Sequence, residues 1–600
     1  MSSFKNICEI EGGVRWDFLP YAGKEWKVRM KFSIAYVIGD TEMHDRLCGR
    51  YQARARGVSK LCRHCMCDTE NICNPSVQYR QALWKPSDFH TLPGGTPAQV
   101  KENSKRISHH SIHNAFHELN FGVNDHNIHL ASLGECLHMH QLGVAKRAVE
   151  SFKDQVSGKI PEIHYAADFK GNPEMCRLMG LLGQEYGALL CRQSDRDFPR
   201  SKFGTDILNN KRKEGHDFAG ILISTLLALV STRGLSVVKD VTFAKEQIQT
   251  IEWILSMEEF LKHGKPTIGM RKNLQQTISE FIKRLNKTCL RGGMGMNLIK
   301  THLYFHLPAY MELWGHPSGW DSAPSESHHK TEIKAPSRNT QRRACNLVKQ
   351  TTIRQSEQML IDTAMSRYGL TQTTSGTTTD NKEMGNREGA RFKIKWGDGG
   401  VVPAMEWSKK KDVPNFPWAV LLYCCETVMP LLVDSSCVHG CTEHKRFDTS
   451  TGSHYLFRSH PSYRSDSGQQ NATWMDWAAF QVFDHNSDEI TVPGQIMCFL
   501  KLREGDKTPA GGVVGSGGGV YAVVRSFKEE PKKTVSNFVH RGQLDGSRFE
   551  LYDTETIVSE LAVVPNLSEN RDEEPTEWLV VKRRAEWQQF FEQKLRREQR

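Results

Sequence analysis

Phe32-Ser-Ile-Ala-Tyr-Val-Ile-Gly-Asp40 is the stretch on which the reading of this chain turns. Its β-branched and aromatic residues continue a strand-like run that begins at Trp26, and Gly39-Asp40 ends it. A strand closing on a carboxylate presents that group at an edge where catalytic and metal-holding side chains are commonly placed. Immediately after it the composition changes. Residues 44–80 are rich in cysteine and residues 109–140 hold eight histidines.

Further out, apolar stripes at helical spacing run from about Glu135 to Leu290, marked by Ile248, Ile251 and Leu255 and by Leu274, Ile278, Phe281 and Leu285. They predict an all-α insertion. The apolar run Phe218–Ser231 is too short and too interrupted to span a bilayer, so it reads as a buried core helix. Helical spacing persists from Asn346 to Tyr368, and Thr371–Thr379 reads as a polar linker. Beyond it, short strands are predicted at Arg391–Trp396, Trp418–Tyr423, Ala478–Phe483, Gln495–Leu502, Val520–Phe527 and Arg548–Tyr552, as in a small barrel or sandwich. The end of the chain, Trp578–Arg600, is a basic helix or tail in which Lys582, Arg583 and Arg584 are the candidate phosphate contacts.

With 38% hydrophobic and 25% charged residues, most of the 600 residues are expected to fold into several domains. No apolar h-region opens the chain and no segment is long enough for a membrane span, so an intracellular protein without membrane contact is expected. A net charge of +10 tilts the balance slightly towards polyanionic partners. In that compartment sixteen cysteines point to reduced thiols and metal ligands rather than disulfides.

Leu61-Cys62-Arg-His64-Cys65-Met-Cys67 carries the sharpest local signal, because Cys-x-x-Cys sets two thiolates on one tetrahedral ion. A redox pair would want a thioredoxin-like context, which is absent from the pattern. Zn2+ with a structural role is therefore expected. The remaining ligands are sought in Glu135-Cys136-Leu-His138-Met-His140, where helical spacing allows either Glu135 with His138 or Cys136 with His140. Any one histidine of this segment is as readily a packed or solvated side chain. Three further features weigh less. Cys437-Val-His439-Gly-Cys441 is more simply packed thiols than a second knuckle, and Gly511–Val520 has no phosphate-loop lysine. Lys300-Thr-His302-Leu-Tyr-Phe-His306 sets two histidines at i and i+4 without the glutamate of a zinc protease, so a packing helix suffices to explain it.

Taken in order, these motifs resemble the cut-and-paste DNA transposases of the Plavaka and CACTA kind, with likeness also to the Kyakuja-Dileera-Zisupton group. Val37-Ile-Gly-Asp40 followed by Cys62-x-x-Cys65 resembles the segment carrying the family's second catalytic aspartate. Gly134-Glu135-Cys-Leu-His138-Met-His-Gln141-Leu is similar to its Cys/Asp-x-x-His element, with Glu135 in place of the usual Asp. Gly315-His-Pro-Ser-Gly-Trp320-Asp-Ser-Ala-Pro-Ser-Glu326 resembles the block holding the third carboxylate, with Asp321 and Glu332 as neighbouring substitutes for Glu326. The resemblance implies an RNase H-like core, Mg2+ or Mn2+ held by Asp40 and Glu326, DNA as partner, a homo-oligomer and a nuclear location. It also implies a first aspartate on an earlier strand. Only 39 residues precede Asp40, and Asp17 there lacks the family context.

The resulting expectation is an α/β fold with an all-α insertion: partial RNase H-like core strands (1–60), a Cys/His-rich knuckle (61–140), the helical insertion (141–310), a return to the core (311–368) and a linker (369–390). A β-rich domain resembling a BAH-like barrel (391–565) and a basic tail (566–600) complete it. The expected function is that of a transposase-derived DNA-binding protein of the DDE kind, catalytically incomplete without the first aspartate. The alternatives are a non-catalytic chromatin-binding remnant and an unrelated zinc metalloprotein.

Overall fold

The computed structural model describes residues 14–21, 24–30, 34–51, 57–65, 67–70, 72–74, 95–122, 127–156, 173–190, 198–199, 213–238, 241–290, 295–328, 335–338, 340, 346–367, 392–393, 439–441, 443–448, 453–463, 472–483, 487–502, 519–567 and 575–597. The chain divides into two compact units. One comprises 1–143, 274–282 and 297–389, and the other 144–273, 283–296 and 390–600.

In the first unit, Val14–Tyr21 and Lys24–Met30 form an antiparallel hairpin. The predicted strand continues only as an extended segment, Ile34 to Gly39, with a single parallel bridge from Val37 to Ser132 and Val37 N–H donating to Ala131 O at 2.9 Å. Its apolar side chains are half-buried rather than buried. Ile34, Tyr36 and Val37 pack on Cys48, Leu119, Phe121, Ile128 and Ala131. Asp40 ends the segment by capping the helix Thr41–Leu47, its Oδ1 accepting Met43 N–H at 2.6 Å. Thr96 and Gln99 make a reciprocal capping box that starts the helix Pro97–Ile107.

The same core takes in a much later part of the chain. Helix Leu307–Trp314 stops at Gly315, whose φ of 86° suits glycine, and the chain turns through Pro317–Trp320 into the short helix Ala323–His328. Tyr36 O–H donates to Gly319 O at 2.7 Å, its ring meets Trp314 and Trp320 edge-on, and Trp320 Nε1 donates to Gly134 O at 3.3 Å. The segments around Tyr36, Gly134 and Trp314–Trp320 are thus tied together.

In the second unit a helical part and a β-barrel fold together. Helix Asp217–Val230 is buried all round from Phe218 to Val230, as its apolar run predicts. Among the described residues no single helix is long and apolar enough to cross a membrane. An 80° bend separates it from Thr232–Val238, and Gly234 sits at that corner. A Cβ there would stand 1.6 Å from Ala228 O. Gly234→Ala is therefore expected to force the corner open and to destabilise this unit by about 3 kcal/mol, read as a lowered thermal midpoint; an unchanged midpoint would show that the corner is not that close.

Six strands close on themselves. Trp477–Phe483 pairs with Glu489–Leu502, which pairs with Gly519–Phe527, then Val539–Asp553, Glu577–Val581 and Ile557–Pro565, which returns to Trp477–Phe483, all antiparallel. Closure leaves the ring without a free edge, and register shifts at Val523/Val524 and Arg525/Phe527 supply curvature. Phe480, Ile496, Phe499, Ala522, Val524 and Ile557 fill part of its interior. Four predicted strands fall on ring strands. Two ring members, Ile557–Pro565 and Glu577–Val581, have no counterpart in the predicted set; Trp418–Tyr423 and the 371–379 linker lie outside the described residues.

The expected separation of a helical insertion, a β-domain and a basic tail is replaced by one body. Helix Arg584–Arg597 is no free tail: Phe591 packs on Trp253 and Phe260, and Trp587 stacks on Phe538. The reason lies in its apolar face, Trp587, Phe591 and Leu595, all fully buried.

Candidate metal centre

The knuckle and a late helix converge in the first unit. Cys62 and Cys65 lie on the loop after Arg50, and His302 and His306 come from Ile299–His302 and the 3-10 turn Leu303–His306 that continues it. Their four donor atoms lie within 4.8 Å of one another, and all four residues are buried. Cys62 Sγ is 3.3 Å from His306 Nε2, Cys65 Sγ is 3.3 Å from His302 Nε2, and the two Nε2 atoms are 3.1 Å apart. A tetrahedral ion with sulfur at about 2.3 Å and nitrogen at about 2.0 Å spaces sulfur from nitrogen by about 3.5 Å and nitrogen from nitrogen by about 3.3 Å. These three distances are within a few tenths of an ångström of those spacings. The group can hold a metal ion.

Its surroundings orient the donors. His302 Nδ1 lies 2.8 Å from Ile72 O, which fixes the tautomer that aims Nε2 inward, and His64 N–H donates to Cys62 Sγ at 3.3 Å. Burial pushes the Cys62 thiol up, but its hydrogen bond with Cys65 and the charges of His302 and His306 outweigh burial and hold it well below the usual thiol range. Burial likewise opposes a charge on His302, while the Cys62 thiolate lifts it to about 10. A cation between the four donors would hold both thiols as thiolates.

Arg63, inside the knuckle, ties this centre to the segment bearing Asp40. Its Nε donates to Ser132 O at 3.0 Å, and one guanidinium nitrogen reaches Thr41 O and Asp45 Oδ1, each at 3.4 Å. Arg50 closes the other side, donating to Lys60 O and Leu61 O at 2.6 and 3.2 Å.

The expected ligands on 135–140 go elsewhere, which corrects the sequence assignment. Residues 136–145 wind as a π-helix; Glu135 and His138 do meet, as their spacing allows, but Glu135 caps the start of the helix, accepting Leu137 N–H at 2.6 Å and His138 N–H at 2.7 Å, and neither joins the four-residue group. Cys136 is a buried thiol outside the four-residue group, and His140 Nδ1 pairs with Tyr304 O–H at 2.5 Å. His138 stands between two carboxylates: Nδ1 is 2.5 Å from Glu135 Oε1, and Nε2 is 3.0 Å from Glu326 Oε1. Burial lowers its affinity for a proton, but the hydrogen bond and charge of Glu135, with Glu326 behind them, raise it above the ordinary histidine value. The two candidate carboxylates remain accessible: Asp40 is exposed and the Glu326 side chain is 51% exposed.

Of the other candidates, Asp321 Oδ1 accepts Ala323 N–H at 3.3 Å, as a turn cap. Glu332 and Cys437 lie outside the described residues, as do the side chains of His439 and Cys441. Arg584 lies 3.5 Å from the buried Glu259, and Lys582 lies 3.5 Å from Glu586; with Arg583, also half-buried, they open a packed helix instead of forming an extended basic patch. No family model matches the chain, and no curated protein and no solved structure is significantly similar to it.

Proposed function

We propose that the chain is a transposase-derived DNA-binding protein of the DDE kind, in which Asp40 and Glu326 are two of the carboxylates of an RNase H-like core and Cys62, Cys65, His302 and His306 hold a structural Zn2+. One observation carries the reading. Asp40 and Glu326 are 286 positions apart, yet the segments that bear them share a core through Tyr36 and Gly319, and in the same unit Cys62 and Cys65 meet His302 and His306.

Tetrahedral S2N2 donors favour Zn2+ among common ions. Mg2+ or Mn2+ on the hard, exposed carboxylates would supply water activation and charge neutralisation at a phosphodiester. The cap on Asp40 occupies Oδ1 and is compatible with that role, since Oδ2 is the second acceptor. These 600 residues supply two of the family's three carboxylates, so this polypeptide is expected to bind DNA, in the nucleus and as a homo-oligomer, without cutting it. The closed antiparallel ring after the core supports a BAH-like, chromatin-contacting module as its companion.

The test is duplex binding against salt together with plasmid nicking. Binding should fall by roughly 10³-fold or more between ~50 and ~200 mM salt if six or more phosphates are contacted, with no nicking in Mg2+ or Mn2+. No binding at the lower salt sinks the DNA reading. Nicking abolished by Asp40→Ala would instead show that the site is complete.

A further inference from the structure

We propose that His138 is a positioning residue for Glu326: anchored by the buried Glu135, its ring holds one oxygen of the Glu326 carboxylate and leaves the other directed to a divalent cation. The inference rests on the reading of Glu326 as a metal-holding carboxylate.

The geometry is that of a three-part strut. Glu135 is 2% exposed, and its two oxygens are fixed by the N–H groups of Leu137 and His138 at the start of the π-helix. The carboxylate therefore has a set orientation before the imidazole meets it. His138 Nδ1 joins Glu135 Oε1, with Ser322 Oγ a further 3.4 Å neighbour, so the ring is held on that side by groups from two segments. Nε2 then reaches Glu326 Oε1 at 3.0 Å. Glu326 sits on a helix of only six residues and is half exposed, and its Glu side chain has several rotatable bonds to order. Without the ring it would sample several rotamers, and a cation would bear the cost of ordering it.

A carboxylate held this way binds as a preorganised ligand, and outer-shell partners of this type are typically worth 10–100-fold in metal affinity. The pairing also explains why a glutamate stands at 135. Its carboxylate can accept two backbone N–H groups and the ring together, whereas a thiol in that place offers only one weak acceptor.

The test uses the full chain and Mn2+ alone, followed by water-proton relaxation, with zinc content and thermal midpoint as controls for folding. Glu326→Gln should weaken Mn2+ binding ~10-fold or more. His138→Ala and Glu135→Gln should each weaken it ~10-fold with zinc content and midpoint retained, and His138→Gln, which keeps one donor, should recover part of the loss. In ¹⁵N-histidine-labelled protein, a strongly downfield Nδ1 proton should mark the Glu135–His138 bond and vanish in Glu135→Gln. If Glu326→Gln weakens binding while His138→Ala leaves it unchanged, the carboxylate reading stands and the strut is overturned. If Glu326→Gln itself has no effect, the carboxylate reading fails.

Discussion

Cys62→Ala and His302→Ala, made separately, are each expected to abolish stoichiometric metal binding and to unfold much of the first unit, whereas Cys136→Ala leaves both intact. The four donors are buried and come from segments 237 to 244 positions apart, so an ion held there would close a long loop and its binding free energy would be folding free energy. Structural Zn2+ sites in isolated peptides are worth on the order of 10 kcal/mol at neutral pH. Removing one ligand should forfeit enough of that to exceed an ordinary domain's net stability. The knuckle is also where Arg63 grips Thr41 O and Ser132 O, so loss of the ion should loosen the segment around Asp40 as well. Metal per chain measured by inductively coupled plasma mass spectrometry, with amide exchange over residues 34–50, reads both effects. Full metal content in His302→Ala would remove the histidines from the site.

The contrast between the two halves of this centre shows what a sequence can disclose. Cys62 and Cys65 are legible because two thiols three apart meet one ion without help from the rest of the fold. His302 and His306 are equally regular, at i and i+4, but nothing in the spacing says which distant segment they face. Eight histidines between 109 and 140 offered nearer partners, but His138 pairs with Glu135 and Glu326, and His140 with Tyr304. Pairing the one Cys-x-x-Cys with every His-x-x-x-His would have kept His302 and His306 as ligands, at the cost of two false pairs, His109 with His113 and His113 with His117. The ring strands tell a similar story. Val520–Phe527 shows an apolar run that survives any context, whereas Glu577–Val581 is five residues beginning on a glutamate and becomes a strand because both neighbours need its backbone. Asp40 was legible as the carboxylate ending an extended segment, whereas its cap on the helix Thr41–Leu47 is disclosed by the structure.

Glu252→Ala should destabilise the second unit by about 4 kcal/mol, through the loss of a buried acceptor on which three donors depend. Glu252 lies on the helix Val241–His263, 1% exposed; Oε1 accepts Ser536 O–H at 2.7 Å and Asn537 N–H at 2.5 Å, and Oε2 accepts Asn537 Nδ2 at 2.7 Å. The loop that donates is itself wound round this point. Ser536 Oγ accepts Phe538 N–H at 2.9 Å, Phe538 O accepts Lys582 N–H at 2.9 Å, and the Phe538 ring stacks on Trp587. Alanine at 252 leaves an O–H and an N–H buried without an acceptor, each costing about 1–3 kcal/mol, and frees the loop that seats the terminal helix. Ser536→Ala alone removes one donor and should cost about 1 kcal/mol. In the double variant the two losses should fall short of their sum, because the orphaned hydroxyl is gone. Strict additivity in urea unfolding of the four proteins would mean that the contact carries no coupling. Coupling of this size would explain why a helical segment placed early in the chain and a barrel placed late fold as one unit.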